Sequence, residues 1–119
     1  MKRQLSWDEL EELVRRRMDN IDGPAHTTIG SGNKFGDQDV RSAHFLFQCK
    51  STGNKSVVID HRDWDELQGA SLKERGTDGN YRTGVFITSN SSGDVMATID
   101  IEDFVALVER AYGGNKKGI

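Results

Sequence analysis

Apolar positions recur along this chain with two spacings, one near 3.6 residues and one near two. From Leu5 to Met18 the spacing is helical. Leu10, Leu13, Val14 and Met18 share one face, Ser6 stands where an N-cap belongs, and Glu9 completes a capping box. Residues Ile101 to Tyr112 repeat the pattern more cleanly, with Asp100 as cap and a stripe of Ile101, Phe104, Val105, Val108 and Tyr112. A third helix is expected over Arg62 to Arg75, turning Trp64, Leu67 and Leu72 inward and stopping at Gly76.

Between these segments the apolar runs are short and β-branched or aromatic. They predict strands over Asp39 to Arg41, His44 to Cys49, Ser56 to Ile59, Thr83 to Thr88 and Val95 to Ile99, with a short one at Thr27, Thr28 and Ile29. The stretches STGN, TDGN and SNSSGD mark turns, the last closing a hairpin. Residues 20–37 read as loop, with the lone Pro24 and a glycine-rich run. The element order α-β-β-β-α-β-β-α describes an α/β (α+β) fold, a central mixed sheet flanked by helices. Residues 1–112 fit one domain, and 113–119 read as a tail.

At 119 residues the chain is long enough for one core. Its net charge of -3 is divided unevenly. Residues 1–60 balance nine Lys and Arg against nine Asp and Glu, while 61–119 hold seven against ten. That balance argues against a general nucleic-acid coat protein and leaves room for local DNA contact. Cys49 is alone, so no internal disulfide is possible, which fits a reducing compartment. The acidic turn after Lys2 and Arg3 is unlike a signal peptide, and no apolar run spans a membrane. A soluble, cytoplasmic protein is expected.

One stretch does not fit a plain strand. Phe45, Leu46 and Phe47 run directly into Gln48, Cys49 and Lys50, and a buried lysine is costly unless paired. Strand alternation turns Gln48 and Lys50 to one face and Cys49 to the other, into the core. A short hairpin brings Asp39 to the same place. One carboxylate, the Gln48 side-chain carbonyl and the Cys49 backbone carbonyl then offer oxygen ligands suited to Mg²⁺, with Mn²⁺ as a substitute. Lys50 is expected to orient a water and offset phosphate charge, so the stretch reads as half of a metal-dependent nuclease site.

The run GSGNKFGDQDV followed by FLFQCK resembles the PD-(D/E)xK nuclease superfamily, and within it the archaeal-type and phage Holliday junction resolvases. QCK is similar to the glutamine variant of the motif in Mrr-type restriction endonucleases. The resemblance implies a restriction-endonuclease-like core in which Asp39 binds metal, Gln48 takes the acidic position and Lys50 is catalytic. Asp37 competes with Asp39 for the ligand role; Asp39, directly before the strand, is favoured. Resolvases of this type also use a glutamate of the first helix. Glu9 and Glu11 flank the apolar stripe by about 100° on either side of Leu10, with Glu9 the first choice and Glu11 the second. Ser31, Asn33 and Lys34 resemble a loop that meets the phosphate backbone, and Lys55 extends that track.

Other signals are weaker. His26, His44 and His61 with Cys49 have no zinc-site spacing. Trp7 and Trp64 fit core or rim positions, and Arg15 to Arg17 a solvated helix face. The expectation is therefore a Mg²⁺-dependent endonuclease for branched DNA, acting as a homodimer with no membrane association. The alternatives are a restriction-like or repair nuclease on duplex DNA, and a DNA-binding protein whose neutral Gln48 marks lost chemistry.

Overall fold

A computed structural model describes residues 3–27, 39–76 and 78–113. Eight elements follow one another: α1 (Trp7–Asp22), β1 (His26–Thr27), β2 (Val40–Arg41), β3 (Phe45–Ser51), α2 (His61–Lys73), β4 (Thr83–Ser89), β5 (Val95–Ile99) and α3 (Ile101–Tyr112). The strands form one five-stranded sheet in sequential order, antiparallel everywhere except between β3 and β4. This is the expected mixed sheet with helices, consistent with a restriction-endonuclease-like core.

The single parallel pair organises the molecule. Parallel neighbours cannot be joined by a tight turn, so the chain must cross a sheet face between them, and α2 is that crossover. Register pairs Gln48 with Phe86 and Lys50 with Thr88. Strand parity sends Leu46 and Phe86 toward α2, where they pack with Leu67, Trp64 and Ile59. Phe47, Cys49 and Val85 face the other way and pack with Leu10 and Val14 of α1. Two small cores thus sit on opposite faces, and the QCK segment lies between them. At Gly84 a Cβ would come 2.8 Å from Leu67 Cγ, so only glycine lets α2 lie this close to β4.

The N-terminal segment straps itself over the carboxyl ends of the parallel pair. Ser51 Oγ donates to the Leu5 carbonyl at 2.6 Å, and the Leu5 N–H donates to Ser89 Oγ at 3.2 Å. Ser6 then starts α1 with the expected reciprocal capping box to Glu9. The β4–β5 hairpin turns through Gly93 at φ 82°, a backbone conformation that favours glycine.

Four expectations are corrected. Ser56 to Ile59 forms no strand: β3 is already flanked by β2 and β4, and Val58 is 75% exposed. Ile59 alone of this run packs on the α2-side core. The α2 helix ends at Lys73 with Glu74 as C-cap, not at Gly76, and Leu72 faces solvent rather than inward. α1 continues to Asp22, four residues past Met18, into the expected loop. The α3 stripe has its expected bounds and cap, yet none of its residues is buried. Of the expected strand at residues 27–29 only Thr27 is in β1, and Thr28 and Ile29 lie outside the described residues. So do Ser31, Asn33, Lys34, Asp37 and residues 114–119 of the tail.

Candidate active site

β2 pairs with β3 only as far as Phe47, so beyond it the edge of β3 needs other partners. Two side chains supply them. Asp39 Oδ2 accepts the Cys49 N–H at 2.8 Å, and the Trp7 indole N–H donates to the Cys49 carbonyl at 2.6 Å. Asp39 is itself held by its backbone N–H, which donates to the Phe47 carbonyl at 2.9 Å. Its Oδ2 also accepts from Gln48 Nε2 at 3.1 Å, so the expected Asp39–Gln48 juxtaposition is present.

The glutamate that joins them is Glu11, the second choice in sequence. Its carboxyl hydrogen-bonds Asp39. Burial, then the charges of Asp39 and Asp8, push the Glu11 carboxyl up to about 7. Burial likewise raises Asp39, against the opposing hydrogen bonds from Cys49 N–H and Glu11. Glu9 is occupied elsewhere. It closes the capping box and takes two hydrogen bonds from the Arg3 guanidinium, at 2.9 and 2.6 Å, and these hold its carboxyl down to about 2. The helical wheel placed both glutamates symmetrically; the strap carrying Arg3 decides between them.

On the α2 side, Gln48 and Lys50 line a cavity of about 210 Å³ with Trp7, Asp63, Glu66 and Phe86. Lys50 Nζ donates to Asp63 Oδ2 at 3.1 Å. Asp63 and Glu66, three residues apart on α2, occupy one helix face. Sequence reasoning passed over both, because helical periodicity marks them only as polar positions. Their relevance comes from the crossover that lays α2 over the Lys50 face. The cavity opens near the carboxyl end of the parallel pair, a common place for sites in sheets with parallel strands.

Cys49 is fully buried, and burial followed by the charges of Asp39 and Glu11 pushes its thiol far above the usual range. A nucleophilic role is thereby excluded. Its carbonyl, expected as a metal ligand, is occupied by Trp7. Lys55 is exposed in the turn after β3, and its carbonyl accepts from Asn90 Nδ2.

Do these residues fit a divalent cation? Two carboxyls brought together until one is raised toward neutrality are what a bound cation relieves. Glu11 and Asp39, with the Gln48 amide beside them, offer hard oxygen donors of the kind Mg²⁺ takes. Among the described residues no group of three or more His, Cys, Asp or Glu converges on one point, so the third donor type here is the amide. Among the described residues, too, no helix is long and apolar enough to cross a membrane. Comparison with known proteins finds no matching family model, curated protein or solved structure.

Proposed function

We propose that this protein is a divalent-metal-dependent endonuclease for branched DNA, cytoplasmic, with Glu11, Asp39 and Gln48 as the metal-binding set and Lys50 as the catalytic lysine. The observation that carries the reading is that Gln48, which donates to Asp39 of the Glu11–Asp39 pair, also lines the cavity that holds Lys50. Asp63 and Glu66 share the cavity with Lys50, and the Glu11–Asp39 pair adjoins it through Gln48, so an approaching phosphate needs a cation between it and the protein. Mg²⁺ bound there supplies Lewis-acid activation of a water and of the phosphate oxygen.

The chain's own groups do the rest. Gln48, donating through Nε2 to Asp39, holds that carboxylate in place. Lys50, kept extended by Asp63, offers N–H donors to a water or phosphate oxygen entering the cavity and offsets charge as the phosphorus becomes five-coordinate. Trp7 and Phe86 wall the cavity and limit water.

The test is incubation with labelled four-way junction and matching linear duplex in Mg²⁺, Mn²⁺ or EDTA. Paired, metal-dependent nicks in the junction that vanish in Lys50→Ala support the reading. Equal cutting of linear duplex moves it to a restriction-like or repair nuclease. Metal-independent junction binding without cleavage favours a non-catalytic DNA-binding protein, a reading supported by neutral Gln48 and by the Trp7 bond on the Cys49 carbonyl.

A further inference from the structure

Trp7 stands outside both cores. Neither packed cluster includes it, and 55% of its surface is exposed. Among the described residues no ring stacks on it and no cation covers it: the stacked rings are Phe45 with Phe47 and Trp64 with Phe86, and the one cation over a ring is Arg75 on Tyr81. Yet the indole is held in place. Its N–H donates to the Cys49 carbonyl at 2.6 Å, and its backbone opens α1 directly after the capping Ser6. Fixed in this way, it walls the cavity that Lys50 enters.

We propose that Trp7 is a stacking platform for one unstacked nucleobase whose phosphate lies at Lys50. Size, charge and preorganisation select a base. A cavity of ~150 Å³ is enough for a benzene-sized ring, and this one, at about 210 Å³, admits a pyrimidine. Aromatic walls beside Asp63 and Glu66 would also suit an organic cation. Lys50, however, already brings an ammonium into the cavity, 3.1 Å from Asp63, and repels a second one. The room beside the indole therefore suits a neutral planar ring. Because the indole is already immobilised, stacking on it costs no further ordering of the protein, and every base has a face to offer. A base inside a duplex has both faces covered by its neighbours, so the substrate must present an unstacked nucleotide beside the cleaved phosphate, and one that is already unpaired costs least. Placing the phosphate at Lys50 rests on the nuclease reading of this site; the stacking is tested without cleavage.

The probes are a single-stranded thymidine hexamer and an abasic hexamer of the same charge, bound to the full chain in Ca²⁺ and followed by fluorescence anisotropy. The thymidine hexamer should bind roughly 5- to 150-fold more tightly, the span of one base stacked on an aromatic ring. Two variants separate stacking from the bond to Cys49. Trp7→Phe keeps a ring and loses the N–H, and should retain most of that preference. Trp7→Gln keeps an N–H donor at similar reach and loses the ring, and should bind both hexamers equally. In Trp64→Phe, which leaves Trp7 as the chain's lone tryptophan, the thymidine hexamer should quench the emission, while the abasic hexamer and tetramethylammonium should not. Equal binding of the two hexamers by wild type, a preference that survives in Trp7→Gln, or one lost equally in Trp7→Phe overturns the proposal. So does quenching by tetramethylammonium alone, which would make the cavity a cation site. Should the preference be absent while metal-dependent junction cleavage persists, the platform alone is wrong. A base preference without cleavage in Mg²⁺ or Mn²⁺ leaves the platform standing and removes the nuclease.

Discussion

Lys50 and Asp63 meet across the step from β3 to α2, with 3.1 Å between the ammonium nitrogen and the carboxylate oxygen. The two side chains are 32% and 40% exposed, so the pair adds at most about 1 kcal/mol to stability. Its value lies in position. Asp63→Asn should leave the thermal midpoint nearly unchanged and lower single-turnover junction cleavage about 10–100-fold, through a displaced Lys50. Lys50→Ala should cost about 10²–10⁴-fold. Cleavage unaffected by Asp63→Asn would show that Lys50 needs no anchor.

Glu11 and Glu9 should separate cleanly. Ionising Glu11 beside Asp39 is unfavourable without a cation, so Glu11→Gln should raise stability at pH 8 in EDTA. After allowance for solvent screening the gain is on the order of 1 kcal/mol. In Mg²⁺ the order should reverse, because wild type gains from binding and the variant gains less. Glu9→Gln should show no such metal-dependent crossover. Thermal melts of three proteins in two buffers decide the matter.

The Asp22–His44 pair predicts a pH window. Asp22 accepts from Ser42 Oγ at 2.7 Å and the His44 N–H at 2.8 Å, and its Oδ1 lies 2.5 Å from His44 Nδ1. Burial disfavours the Asp22 anion, but these bonds outweigh it and hold the carboxyl below its usual 3.8. The Asp22 bond, and secondarily the Asp22 and Asp78 charges, raise His44 above 6.5 against burial and Arg110. A raised histidine stabilises the fold fully below 6.5 and ceases to as pH rises through its folded value. A lowered carboxyl stabilises above 3.8 and ceases to as pH falls through its own. The difference in unfolding free energy between wild type and His44→Gln should therefore be largest between about pH 4 and 6.5 and shrink on both sides. A flat difference from pH 5 to 9 would remove the pair from the stability account.

Gly84→Ala tests the α2 approach. The added methyl meets Leu67, a fully buried side chain, so the cost should be about 1–3 kcal/mol by urea unfolding. A matching loss of cleavage is expected, because α2 carries Asp63.

Local rules read the Ser6 and Asp100 caps, the β4–β5 hairpin, the bounds of α3 and the Gln48/Lys50 parity correctly, because each is set by residues within a few positions. What pairing decides was less legible. Ser56 to Ile59 has strand-like composition but stays outside the sheet, where the parallel neighbour of β3 is β4, later in the chain. The choice of Glu11 over Glu9 depends on Arg3 and the strap, and Asp63 depends on the crossover. The exposed α3 stripe shows the limit most plainly: periodicity identifies an apolar face without saying which surface covers it.

The strap has a consequence for how the protein comes into being. Leu5, near the start of the chain, is fastened to Ser51 and Ser89, 46 and 84 positions later. During synthesis α1 emerges before β3 and β4, so its capped end, with Trp7 beside Cys49, finds its anchors only after β4 has left the ribosome. The cavity over Lys50 thus closes only once β4 is in place, and a nascent chain halted before Ser89 carries Glu11, Asp39, Gln48 and Lys50 without the geometry that joins them.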